Sequence, residues 1–244
     1  MQQVEQVDAL VVGSGPAGQK AAIQLAKGGR KVVICEQLKE IGGACVHHGT
    51  IPSKALRERA VQRGRVNARL AELNRDEMDR GVSLLELIGE MSEVVSSHDA
   101  YMTDQLARNN VQIVHGRASF IGPHEMEVLT TTGQRRHFKV TNVVVAAGSR
   151  PRHPEEVAID HETIYDSDSV LTLAYLPQSM VVLGGGVIAC EYASIFAMLG
   201  CKVTLIDRYP QPLGFLDQDL TQRFVRAFEH GKYRCLYDRS TGSQ

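Results

Sequence analysis

Tryptophan is absent from this chain, and aromatic residues are only 5 % of its 244 positions. Any core must therefore be built from Val, Ile, Leu and Ala. Five cysteines are scattered through it (Cys35, Cys45, Cys190, Cys201 and Cys235), and none forms a Cys-x-x-Cys pair. The odd count and the scatter exclude a disulfide framework and predict free thiols in a reducing cytoplasm. Charge of one sign is missing too. Lys+Arg 27 against Asp+Glu 28 gives a formal net charge of −1. No basic field exists to attract nucleic acid or an anionic membrane. The longest apolar runs, such as 9–12 and 143–147, fall far short of the ~20 residues of a membrane span. Residues 1–8 carry neither a basic n-region nor an apolar h-region, so no secretory signal is predicted.

What is present is ordinary for a globular protein, 43 % hydrophobic and 23 % charged, and long enough for one large domain or two modest ones. Residues 8–12 read as a buried strand, 19–27 as a helix stopped by Gly28 and Gly29, and 31–35 as a second strand ending on Glu36. Between the first strand and the helix stands Gly-Ser-Gly-Pro-Ala-Gly at 13–18. Gly13 permits a tight turn, Gly15 lets backbone approach a pyrophosphate, and Gly18 lets the helix pack close to the strand. The helix N-terminus supplies free N–H groups and positive dipole, and Glu36 can accept hydrogen bonds from a ribose. Alone the glycine pattern is weak. Here it comes after a strand, opens a helix and has an acid at the right distance.

The pattern then returns. Strand 179–183, turn 184–189, helix 190–199, Gly200 and strand 201–206 ending on Asp207 repeat the first unit. Gly184, Gly186, Gly200, Val203 and Asp207 all stand 171 residues after Gly13, Gly15, Gly29, Val32 and Glu36. The chain is thus read as two nucleotide-binding βαβ units. Asp207 favours a free ribose 2′-hydroxyl, hence NAD, and Arg208 could accept a 2′-phosphate, hence NADP, so both stay open. Between the units, 56–116 reads as helical with a solvated charged face. Asn109-Asn110 ends it, and 111–114 reads as a strand. Alternation over 125–140 with a turn at Thr132-Gly133 predicts a hairpin or meander, 143–147 a separate buried strand, and 150–164 a linker. Helix 220–228 and a polar third strand at 233–237 come next, then a disordered-looking end at 238–244.

Gly-Gly-Ala-Cys-Val-His-His-Gly-Thr-Ile-Pro-Ser-Lys at 42–54 sits just past the ribose acid. Pro52 suits a helix's first turn and places Lys54 on that helix. Taken singly, Cys45 reads as a small buried hydrophobe and Lys54 as a surface charge. Cys45, His47 and His48 are metal-ligand types, but no fourth ligand is placed nearby and no metal site is expected.

This stretch resembles the flavin-facing motif of the pyridine nucleotide–disulfide oxidoreductases, Gly-Gly-x-Cys-x-x-x-x-Cys-[Ile/Val]-Pro-Ser-Lys. Thr50 stands where that motif has its second cysteine. Similarity extends over nearly all of 7–220, including Ala-Ala-Gly-Ser-Arg-Pro at 146–151, Tyr-Asp-Ser-Asp-Ser at 165–169, 184–196 and Phe-Leu-Asp-Gln at 215–218. The resemblance implies an α/β fold of two Rossmann-like units, the second incomplete, with a helical insertion and a β-meander in the first. Residues 1–160 would bind FAD and 161–244 form a partial NAD(P)-binding domain. It implies FAD contacts from Gly13, Gly15, Gly18, Glu36, Gln37, Gly42, Gly43, Ala44, Cys45, Lys54, Ala118 and Gly148. NAD(P)H contacts would come from Gly184, Gly186, Asp207 and Arg208. Lys54, Glu191 and Cys45 would be the catalytic set, with Glu191 paired to Lys54.

A lone Cys45 cannot cycle a disulfide. The branch with Gly-Thr-Ile-Pro-Ser-Lys moves hydride equivalents between NADPH and NAD⁺ through FAD, a transhydrogenase activity. A dihydrolipoamide dehydrogenase-like disulfide reductase and a non-catalytic nucleotide-binding fragment are the alternatives. Family members are also longer. The resemblance therefore implies a truncated or frame-shifted chain, without the further FAD segment, the rest of the NAD domain and the homo-oligomer's dimerisation domain.

Overall fold

The computed structural model describes residues 4–72, 84–230 and 233–237. They form two compact units, 1–52 with 92–154, and 53–91 with 155–244. This is not the division at 160 read from the sequence. The difference lies in the helix after Pro52. Leu56 and Ala60 on it are buried in the core of the second unit, so a segment well ahead of the linker folds with the chain beyond it.

In the first unit, β1 (Val4–Val12) lies between β2 (Val32–Glu36) and β5 (Arg135–Val145), and β2 pairs with β3 (Gln112–Gly122), all parallel. The far half of β3 and the near half of β5 clasp β4 (Glu125–Thr130) in antiparallel register, so the five strands close on themselves. Gly116 sits where β3 exchanges β2 for β4. A side chain there would strike the Leu129 carbonyl. Leu10, Val33, Met126, Val128 and Phe138 form one core. Ala9, Val11, Ile34, Ala22 of α1 (Pro16–Lys27) and Leu106 of α4 (Leu84–Arg108) form another. Phe138 and Leu10 are fully buried, each burial stabilising by ~1.5–3 kcal/mol.

The hairpin turn at Thr132-Gly133 forms as expected, with Gly133 at φ +82° and its N–H on the Thr130 carbonyl. Residues 143–147 are not a separate strand. Residues 143–145 continue β5, which ends at Val145, because Asn142 stays in the ladder with β1. Val145 on that end is exposed. Asn110 ends α4 with a positive φ of 56°. The 42–54 stretch is more helical than a turn: α2 spans Gly43–His47 and α3 spans Thr50–Glu72, starting ahead of Pro52. Within the linker, Asp160 Oδ1 accepts the N–H groups of Glu162, Thr163 and Ile164, a tight side-chain-closed turn.

In the second unit, β6 (Ser179–Leu183), β7 (Lys202–Asp207) and β8 (Tyr233–Tyr237) form a parallel sheet in the order β6-β7-β8. The polar 233–237 segment is therefore a true strand, paired to β7. α5 (Val187–Met198) buries Ala193, Ile195 and Phe196 with Leu205 of β7. α6 spans Gln218–His230 and stacks Phe224 on Phe228. Val181 and Leu183 of β6 remain 60 % and 61 % exposed. Val66 on the helix Thr50–Glu72 is exposed. Residues 73–83 of the expected helical stretch, the Leu84–Met91 side chains and the tail at 238–244 lie outside the described residues and side chains.

Candidate nucleotide-binding sites

The two glycine turns superpose in their backbone logic. Gly13 and Gly184 have φ of +99° and +103°, and their N–H groups reach the Cys35 and Ile206 carbonyls at 2.8 and 2.7 Å. Cys35 and Ile206 are themselves 171 residues apart, so the sequence repeat is a repeat of hydrogen bonds. Gly15 and Gly186 cap α1 and α5 with extended backbone and no side-chain hydrogen bond, and neither first turn holds an acid. Both helix ends therefore keep N–H groups and dipole for an anion.

In the first unit each glycine has a distinct steric reason. A side chain at Gly13 would strike the Ala146 carbonyl, and one at Gly18 the Gly13 carbonyl. One at Gly15 would meet only the Gly42 carbonyl, 4.0 Å away. The turn is thus tight beneath and open above, the shape a pyrophosphate needs. Gly42 and Gly43 both take positive φ, 121° and 63°, which lets that strap return to Gly15.

Ser14, a position the motif leaves undefined, is the hub of this site. It is fully buried, and its Oγ donates to Glu36 Oε2 (2.7 Å) and accepts from the Gly42 N–H (3.1 Å). Its own N–H also reaches Glu36 Oε2 (2.9 Å), while the Leu38 N–H reaches Oε1 (3.1 Å). Burial pushes the Glu36 carboxyl upward. The Ser14 hydroxyl and the backbone N–H groups of Leu38, Ser14 and Gln37 more than offset it, leaving the group below its ordinary value and ionised. Ser14 thus occupies Oε2 twice and Leu38 meets Oε1. The strap is also held at Ile41, whose N–H meets Asp99 Oδ1 and whose carbonyl meets His47 Nε2. Nothing in the spacing of Asp99 from residue 41 signals this link.

Cys45 lies half-buried on α2, and Thr50 is exposed at the start of α3. Cys35, Cys45, Cys190 and Cys201 are all in the thiol form, with no disulfide among them. Gly148, at φ +70°, comes just after the Ala146 carbonyl that abuts Gly13. Ala118 lies on β3, whose His115 is the register partner of Glu36. Gln37 and Ala44 are not among the buried residues. No group of His, Cys, Asp and Glu suited to a metal occurs among the described residues.

Lys54 and Glu191 belong to the second unit, where both line a cavity of about 660 Å³ with Arg57, Ser194, Phe215 and Phe224. Glu191 Oε1 accepts from the buried Ser53 hydroxyl at 3.1 Å. The expected Lys54–Glu191 pair is not among the ion pairs of the described residues. A side chain at Gly185 would meet Asp207 Oδ2 and the Pro212 backbone, and Arg208 stacks on Tyr209.

A family model, pyridine nucleotide-disulphide oxidoreductase, matches residues 7–235. The chain belongs to this family. Among its relatives, the soluble pyridine nucleotide transhydrogenase of Pseudomonas fluorescens (strain Pf-5) is 37 % identical over 96 % of this chain and 51 % of that protein. The protein of the same name from Pseudomonas putida (strain GB-1) is 38 % identical over 91 % and 48 %. Among solved structures, the HOCl-induced flavoprotein disulfide reductase RclA from Escherichia coli, as its Cu(II) complex, matches with a TM-score of 0.83 at 26 % identity, over 96 % of this chain and 50 % of that one. LpdA from Mycobacterium tuberculosis gives 0.85 at 25 % identity, over 95 % and 51 %. The chain spans about half the length of these relatives. Their likeness fits the mixed α/β architecture with parallel Rossmann-like layers. No helix among the described residues is long and apolar enough to cross a membrane.

Proposed function

We propose that the first unit binds FAD, the second binds a nicotinamide dinucleotide, and the chain serves transfer of hydride equivalents between NADPH and NAD⁺ in the cytoplasm. One observation carries the choice within the family. Cys45 stands alone, with Thr50 at the second cysteine position of the motif and no disulfide to Cys35, Cys190 or Cys201. A dithiol relay needs two sulfurs, so a dihydrolipoamide dehydrogenase-like reaction lacks its redox partner.

The flavin, when bound, supplies reversible storage of a hydride equivalent. The chain's own part is binding and charge. Gly13, Gly15, Gly18 and the α1 terminus bind the pyrophosphate. Glu36, held by Ser14, accepts a ribose hydroxyl. Gly42, Gly43, Ala44, Cys45, Gln37, Ala118 and Gly148 border the rest. Gly184, Gly186 and the α5 terminus hold the second dinucleotide's pyrophosphate. Lys54 supplies positive charge that favours an anionic reduced ring, and Glu191, fixed by Ser53, is positioned on the same cavity wall.

The test is NADPH-driven reduction of an NAD⁺ analogue by the FAD-loaded chain, with lipoamide in a parallel assay. Analogue reduction without lipoamide turnover is expected, slowed in Lys54→Met. Lipoamide-dependent NADH formation would overturn the proposal. A second reading, nucleotide binding without turnover, draws on the apolar surface left open in the second unit. Phe215 is 70 % exposed, and Val181, Leu183, Val187 and Ile188 are exposed as well. It predicts FAD binding with no analogue reduction.

A further inference from the structure

We infer that α4 sets the width of the pyrophosphate slot in the first unit, and that Asp99 on it is a positioning residue for FAD binding. This rests on the reading of that unit as the FAD site. The slot has two walls. One is the glycine turn at 13–18 with the start of α1, and the other is the strap at 41–43. The strap returns so close to the turn that a side chain at Gly43 would come within 3.0 Å of the Gly15 Cα. Gly42 and Gly43 both take positive φ. Glycine loses more conformational freedom on ordering than any other residue, so a strap built on two of them has to be held from outside.

One face of α4 holds both walls. Asp99 Oδ1 accepts the Ile41 N–H of the strap. Three residues on, the Met102 carbonyl accepts from Gln19 Nε2 of α1 at 3.3 Å. The Gln19 N–H is itself bonded to the Gly15 carbonyl at 2.9 Å. The Met102 sulfur stands where a side chain at Gly42 would lie. Leu106, a further turn along, is fully buried in the core that contains Ile41 and Ala22. Residues at this spacing share a helix face, so α4 fixes the strap relative to the first turn of α1. Ile41 is gripped from its other side too, its carbonyl accepting from His47 Nε2 at 2.8 Å. A carboxylate on a backbone N–H is a charge-assisted bond. A loop already held in its bound shape spares the ligand the cost of ordering it. Asp99 therefore acts on the cofactor through the strap.

The test is equilibrium titration of the full chain with FAD, read by flavin fluorescence, with AMP as a competitor. AMP carries the adenine and ribose of FAD but no pyrophosphate. Asp99→Ala is expected to weaken FAD about tenfold, the loss of one charge-assisted hydrogen bond, and to leave AMP affinity unchanged. Asp99→Asn keeps an oxygen for the Ile41 N–H and should recover most of the FAD affinity. Equal FAD affinity in the wild type and Asp99→Ala overturns the inference while leaving the FAD site intact. FAD and AMP weakened in equal proportion makes Asp99 a support of the fold alone, and overturns the inference as well. No FAD binding by the wild-type chain overturns the FAD site, and the inference with it. Should Asp99→Ala not fold, His47→Phe, which removes the donor on the other side of Ile41, decides by the same comparison.

Discussion

Replacing Glu36 by Gln removes one charge from a buried side chain with almost no change of shape. In the native turn the Ser14 N–H and O–H converge on Oε2 and the Leu38 N–H on Oε1, with the Gln37 N–H also supporting the carboxylate. A glutamine can keep its oxygen toward Ser14, but its NH₂ then faces the Leu38 N–H. Two charge-assisted bonds become neutral ones, each losing about 1 kcal/mol, and one donor loses its acceptor at a cost of ~1–3 kcal/mol. A loss of about 3–5 kcal/mol results, or about 1.5–2.5 M in urea midpoint at a slope near 2 kcal/mol/M. The assay is urea unfolding monitored by a probe in the first unit, repeated over pH. The sign is fixed by the lowered carboxyl of Glu36. Its stabilisation is present above the ordinary glutamate value and is lost as pH falls through the lower folded-state value. Wild-type and Glu36→Gln curves should therefore differ at neutral pH and converge in acid. Equal midpoints at about pH 7, or a gap that persists unchanged at low pH, would refute the idea that this carboxylate holds the turn.

Thiol chemistry gives a second check. Burial pushes the Cys35 thiol up to about 11 and also raises Cys201, so at about pH 8 roughly a thousandth of Cys35 is thiolate. Among Cys35, Cys45, Cys190 and Cys201, iodoacetamide should modify Cys45 first, as read by peptide mapping. Tyr192 offers a third. Its buried hydroxyl has no hydrogen-bond partner among the described residues, and burial, with Glu191 and Asp168 nearby, pushes its ionisation up. Tyr192→Phe should be neutral or stabilising by about 1 kcal/mol, seen as an equal or higher Tm; a clear loss of stability would reveal a partner for the hydroxyl.

Both βαβ units were legible because their glycines recur at one offset, with Gly13 and Gly184 both at positive φ, and the same offset reappears in the Gly13 and Gly184 hydrogen bonds. The hairpin was legible from alternation and a turn glycine. Ser14 was not, because any residue is tolerated at that position of the pattern until its hydroxyl is seen to join Glu36 to Gly42. Residues 143–147 looked independent because polarity at 141–142 resembles a loop, yet backbone pairing with β1 does not depend on side-chain polarity. Ser53 was hidden for a different reason. Its partner, Glu191, is 138 residues away, and no local pattern encodes that contact. Asp207 and Arg208 were both visible, but the hydrogen bond from the Arg208 guanidinium to the Tyr209 hydroxyl was not.

The absence of a redox disulfide is tested most directly by anaerobic reductive titration of the FAD-loaded chain with a chemical reductant. The expected result is one hydride equivalent consumed per flavin, with the flavin bleaching from the first addition. Uptake of a second equivalent per flavin before full bleaching would show that Cys45 does have a sulfur partner, and would contradict a relay that runs through the flavin alone.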